Sequence, residues 1–243
     1  MAEPRSRAAF YAARPGGWRD WWTLLHPPYT AWHLGYVAIG AALAPHVYVS
    51  RLLWGLASFA LAVGVAAHAL DELHDRPLNT RFSDRALLIA AVASAVGAVA
   101  IGVAGVVTVS PWLAPLVVAG ALLLPAYNLE LAGGRFHNDT WFALAWGGFP
   151  AFTGYFVNSL AIRPAGLVVA GACCLLSAAQ RQLSTPVRRL RRSTTEVVGQ
   201  QRLRDGTVIE LTPAGLSAPL EGALRALWLA IVLLAVGLVA VRL

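Results

Sequence analysis

Long apolar runs separated by short polar stretches dominate the chain, and each run approaches the twenty or so residues a helix needs to cross a bilayer. Seven such runs fall at residues 30–46, 51–73, 86–109, 111–129, 140–158, 164–183 and 219–241. The pattern predicts an all-α fold, a polytopic membrane helix bundle of about seven transmembrane helices. Four parts follow: an interfacial N-terminal segment 1–26, a six-helix core 27–183, a basic loop 184–218, and a last helix 219–243. Within the loop, apolar and polar residues alternate around Asp205-Gly206, which predicts a hairpin. No repeat recurs at a fixed period.

Charge sets the expected orientation. With the N-terminus in the cytoplasm, Arg5, Arg7, Arg14, Arg19, Arg76, Arg81, Arg85, Arg135, Arg181, Arg188, Arg189, Arg191, Arg192, Arg202 and Arg204 fall on the inner side, and Arg225 lies just within the last run. Only Arg51, Arg163 and Arg242 fall outside, so sixteen of the nineteen arginines obey the positive-inside rule. The aromatic residues Trp18, Trp21 and Trp22 suit a membrane interface, and the N-terminus lacks the apolar stretch of a secretory signal.

Composition adds to this picture without changing it. The 243 residues are 58% hydrophobic and 13% charged, too apolar for a water-soluble core of this size. A pI near 10.2 does not point to nucleic acid, because the arginines flank apolar runs, where topology and anionic headgroups account for them. Membrane lipids are the expected partners. All the basic residues are arginine and alanine is abundant, which points to a bacterial plasma membrane. Cys173 and Cys174 are adjacent, a spacing that serves neither a disulfide framework nor zinc.

Two polar clusters interrupt the pattern. At the end of the second run, His68, Asp71, Glu72 and Asp75 share an arc of about 100° on a helix, and carboxylates at that depth call for a bound cation, arginines or a watery cavity. After the fourth run, Asn128, Glu130, Arg135, His137 and Asp139 occupy a bend containing Gly133 and Gly134. Asn138 or Asp139 suits the cap of the following helix. That helix is dense in aromatics, with Trp141, Phe142, Trp146, Phe149, Phe152, Tyr155 and Phe156, which serve either as packing or as the wall of an isoprenoid pocket.

These residues resemble the UbiA superfamily of intramembrane prenyltransferases over roughly residues 24–185. The family's Asn-x-x-x-Asp-x-x-x-Asp motif is matched by Ala67, Asp71 and Asp75, its Arg-Pro-Leu segment by Arg76, Pro77 and Leu78, and its tyrosine-led second region by Tyr127 to Pro150. Ala67 replaces the motif's asparagine, the second Asp-x-x-x-Asp motif is absent from SAAQRQLSTPVRR, and seven runs stand for nine. The resemblance implies transfer of a prenyl group from a prenyl diphosphate to a membrane-held acceptor. Catalytic roles then fall to Asp71, Asp75, Arg135 and Tyr127. Arg76, Arg81, Asn128, Arg181 and Trp146 would bind substrate, and Mg2+ on Asp71 and Asp75 would bridge diphosphate oxygens.

Two other classes stay open on the residues alone. A membrane metalloenzyme would draw ligands for zinc, iron or manganese from His68, Asp71, Glu72, His74, Glu130, His137 and Asp139. A non-catalytic protein binding an isoprenoid lipid, or serving as a scaffold, would explain the missing second motif. The clusters are expected to share one cavity, with Asp71 near Arg135 or His137. Residues 184–218 are expected to ride on headgroups outside that site.

Overall fold

In lipid every backbone N–H and C=O must be satisfied within its own segment, and the apolar runs fold accordingly as helices. The computed structural model describes residues 9–243, so the inner placement expected of Arg5 and Arg7 concerns positions outside the described residues. The helices are α1 (Trp18–Leu24), α2 (Pro27–Ala42), α3 (Val49–Asp75), α4 (Asp84–Thr108), α5 (Pro111–Asn128), α6 (139–159), α7 (Pro164–Arg192) and α8 (Pro213–Arg242). Between α7 and α8 the expected hairpin forms from β1 (Gln200–Arg202) and β2 (Val208–Glu210), antiparallel with Gln201 opposite Ile209. Its turn is held by the Thr207 amide donating to Asp205 Oδ1 at 2.9 Å.

Five helices, α3, α4, α5, α7 and α8, are long and apolar enough to cross a membrane. Large side chains such as Val92, Val96 and Val103 on α4 and Leu233 and Val236 on α8 are exposed. Rows of this kind would be costly in water and are at home against acyl chains. The protein is an all-α membrane bundle.

The centre of the bundle is α2, which packs against α3, α6, α7 and α8 and buries Trp32, Tyr36 and Ala41. Its approach to α6 is backbone on backbone. A Cβ at Gly40 would collide with the Ala151 carbonyl, and one at Gly154 with that of Val37, so small residues set this crossing. Two arginines tie helix ends to neighbouring backbone. Arg242 donates to the carbonyls of Ala44 and Pro45 at 2.9 and 2.7 Å, and Arg51 to that of Val157 at 3.1 Å.

Two expected boundaries move. The core helix expected to end at 183 continues through Pro186 to Arg192, and the last helix, expected from 219, begins at Pro213, so the connection between them is 193–212. Proline lacks one N–H and usually ends or kinks a helix. Here Val187 is buried, and Arg191 grips Glu221 of α8 through two hydrogen bonds of 2.5 and 2.9 Å, tying the extension down.

Candidate functional site at the arginine-bearing end

Two stretches of widened π-type helix, Ala60–Ala67 in α3 and Leu144–Gly148 in α6, lie next to the polar end of the bundle. Such turns are rare and concentrate at functional sites. Histidines bond carbonyls within them: His68 Nδ1 donates to Gly64 at 3.1 Å and His33 Nδ1 to Trp146 at 2.8 Å. The second stretch fits only because Gly147 and Gly148 leave room for the α7 backbone at Cys173 and the sulfur of Cys174. Trp146 is thereby set edge-on to Tyr127, ring centroids 5.5 Å apart, in a buried cluster with Val63, Ala66 and Ala67.

Most of the first cluster is structural. Glu72 is fully buried, and its carboxylate accepts from the Leu78 amide at 2.9 Å, the Thr80 amide at 2.8 Å and the Thr80 hydroxyl at 2.9 Å. It therefore shapes the loop after α3, and its lone pairs are used, against the expectation of a metal ligand. Arg76 bonds the Phe82 carbonyl at 2.7 Å and pairs with Asp84, which ties it to the same loop rather than to a substrate. Asp75 is exposed beside His74, and Arg81 is exposed near Gly16. His68 stacks on His26 at 4.2 Å.

The second cluster divides in the same way. Asn138 is the cap of α6, its Oδ1 accepting the Trp141 amide at 3.0 Å, which leaves Asp139 to bond Arg181 at 2.9 Å. Asn128 is buried and donates to the Leu124 carbonyl of its own helix. His137 stacks on Tyr127 at 4.6 Å, donates Nδ1–H to the Tyr127 carbonyl, and has Glu130 at 3.8 Å. Arg135 is exposed, and among the described residues its guanidinium has no hydrogen bond or ion pair.

Asp71 lies within electrostatic range of Arg188, Arg181 and Arg192 of α7, and of His74. At 100° per residue Arg181, Arg188 and Arg192 share an arc of about 40°, with Ser177 and Thr185 beside them. Tyr127 and Tyr29 also lie in the field of this row. Arg181 rests over the ring of Phe142 at 5.2 Å. Arg188 bonds only Thr185 Oγ1, at 3.3 Å, among the described residues. Tyr127 Oη is buried with no partner among the described residues, although a buried hydroxyl normally has one. A shallow concavity between Thr185, Arg188, Arg192 and Ser193–Thr195 opens the end of the row to the surface.

The N-terminal segment closes one side. Tyr11 and Tyr29 meet edge to face at 5.6 Å, Phe10 lies under Arg225, and the Tyr11 hydroxyl bonds His26 Nδ1. Burial, together with His68, Arg192 and Arg188, holds the His26 imidazole well below its ordinary value, so it is neutral at pH 7. Burial also pushes the Tyr11 hydroxyl above its usual range.

The described residues offer no shell of three protein ligands for a metal ion. Among the described residues no three of His, Cys, Asp and Glu converge on one point. The carboxylates that would complete a shell around Asp71 are bonded elsewhere, Glu72 to its loop and Asp139 to Arg181. Reading the sequence alone misses Arg188 and Arg192 as site residues, because Ser184-Thr185-Pro186 looks like a helix end. Their spacing from Arg181, seven and eleven residues, is the signal that finds them once the helix is carried through. Comparison of the chain with family models, with curated proteins and with solved structures gives no match.

Proposed function

We propose that this membrane protein binds a prenyl diphosphate, headgroup at the α7 arginine row and tail against the apolar wall, and that it serves transfer of the prenyl group to a membrane-held acceptor. One observation carries the reading: Arg181, Arg188 and Arg192 share one face of α7 within electrostatic range of Asp71, and the first two also reach the unpartnered Tyr127 hydroxyl at the edge of the apolar bundle. Guanidinium groups suit phosphate oxygens through paired, charge-assisted hydrogen bonds. In the transfer the allylic C1–O bond breaks, diphosphate leaves with the electron pair, and the acceptor bonds to C1 and loses a proton. Arg181 and Arg188 neutralise the charge that grows on the leaving group, while Phe142, Trp146 and Tyr127 offer π faces to the allylic cation. The UbiA-like resemblance of residues 24–185 agrees with this chemistry.

The finer topology belongs to the same reading. Seven segments cross the membrane, α2 and α6 joining the five long helices because both lie inside the bundle, and the arginine-bearing end faces the cytoplasm of a bacterial cell. The donor set favours a second reading, a lipid-binding protein without turnover, because among the described residues no three of His, Cys, Asp and Glu converge to hold a metal ion. Titration of the purified chain with geranylgeranyl diphosphate tests binding, and release of diphosphate in the presence of membrane extract separates the two readings. Absence of binding with and without magnesium refutes both.

A further inference from the structure

Away from the arginine row, the N-terminal segment turns outward a surface that the diphosphate reading does not use. At about 100° per residue Trp18, Trp21 and Trp22 share one face of α1, and Asp20, Thr23 and Leu24 share the opposite one. The inner face is engaged. The Asp20 carboxylate accepts the Gly16 amide at 3.0 Å, the Thr23 hydroxyl accepts the Ala13 amide at 3.0 Å, and Leu24 packs with Ala69, Leu78, Leu87 and Ala91. The outer face is bare, with Trp18 71% exposed, Trp21 44% and Trp22 46%.

What covers that face follows from where it lies. Leu24 seats α1 against Leu87 and Ala91 in the first turns of α4, where the neighbouring side chains Leu88, Ile89 and Val92 are already apolar and exposed. Trp21 meets Phe82, just before α4, with ring centroids 4.7 Å apart, so the tryptophan face adjoins the lipid-facing side of that helix. On the same segments Arg14, Arg19, Arg81 and Arg85 are exposed and in no ion pair among the described residues. Of the acids there, Asp20 and Glu72 are buried against backbone amides and Asp84 pairs with Arg76, which leaves Asp75, beside His74, as the exposed acid opposing them. Indole rings suit the boundary between acyl chains and headgroups, and arginines just outside it are drawn to anionic lipid.

We propose that α1 is an interfacial anchor: Trp18, Trp21 and Trp22 seat in the headgroup boundary of an anionic bilayer, Arg14, Arg19, Arg81 and Arg85 meet its headgroups, and this contact holds residues 9–25 over the end of the bundle. Trp22 Nε1 donates to the Tyr11 carbonyl at 3.1 Å, which carries the lipid contact to the ring cluster of Phe10, Tyr11 and Tyr29.

The test uses the full chain, labelled with fluorotryptophan, in nanodiscs of phosphatidylcholine with and without phosphatidylglycerol, its fluorine signals assigned through Trp18→Phe, Trp21→Phe and Trp22→Phe. A spin label high on the lipid acyl chain is expected to broaden these signals, most with phosphatidylglycerol present, and a soluble gadolinium chelate to leave them sharp. Trp18 has no ring contact or hydrogen bond among the described residues, so Trp18→Ser spares the packing of α1. It is expected to speed amide exchange of residues 9–25 about tenfold in the nanodisc, as loss of one partly buried indole implies, with exchange in α2 unchanged. Signals broadened by the chelate and not by the lipid label, or exchange that Trp18→Ser leaves as it was, overturn the anchor. Equal broadening with and without phosphatidylglycerol overturns the pairing of the arginines with headgroups. Neither result bears on diphosphate binding, which is titrated separately.

Discussion

Asp71 and Glu72 are neighbours on the same helix, both acids at the end of an apolar run, yet they have opposite fates. Glu72 is enclosed, with three hydrogen bonds to one loop, and is part of the fold. Asp71 has none among the described residues, and faces arginines from another helix. The comparison teaches that a carboxylate whose lone pairs are all engaged holds structure, while one that meets charge without a hydrogen bond is available for exchange. Arg191 and Arg188 repeat the lesson on α7, one locked to Glu221 and the other bonded, among the described residues, only to Thr185.

The largest effect expected from breaking the contrast is Glu72→Ala. It strands two buried amides and a hydroxyl and is expected to lower stability by about 3 to 5 kcal/mol, read as a fall in melting temperature in detergent. Asp71→Asn is expected to leave melting nearly unchanged, and equal losses in the two variants would erase the distinction between them. Next is Arg191→Met, which leaves buried Glu221 with only Arg225 at 4.0 Å and is expected to cost about 2 to 3 kcal/mol. Because Arg191 holds the α7 extension, diphosphate affinity is expected to fall with it although Arg191 touches no ligand.

Arg181→Gln sharpens the comparison from the other side. Its partner Asp139 is 75% exposed, so stability is expected to change by less than about 1 kcal/mol, while diphosphate binding drops at least tenfold in the titration. Unchanged binding would move the diphosphate headgroup away from Arg181.

The smallest effect concerns pH. His26 in the folded protein resists protonation, whereas unfolded it titrates near 6.5, so its contribution to stability is present above 6.5 and is lost as the pH falls below that value. Protonation also takes the Nδ1 lone pair from the Tyr11 hydroxyl. Amide exchange of residues 9–25, corrected for intrinsic rates, is expected to accelerate between pH 7.5 and 5.5, and His26→Phe should remove that dependence.

The sequence by itself determined the long apolar helices, because hydrophobic length acts locally and needs no partner. It also placed the hairpin at Asp205-Gly206 and the cap of α6 at Asn138 or Asp139, since turn and cap chemistry lies within a few residues. Tertiary structure alone decided which acids are engaged. Glu72 and Asp71 present the same pattern on paper, and only the return of Leu78 and Thr80 to one of them separates structure from site. It also decided that α7 passes Pro186: the gain comes from buried Val187 and from Glu221, thirty residues beyond Arg191 and invisible to local propensity. That continuation brings Arg188 and Arg192 into line with Arg181, and so turns a basic loop in the sequence into one wall of a site.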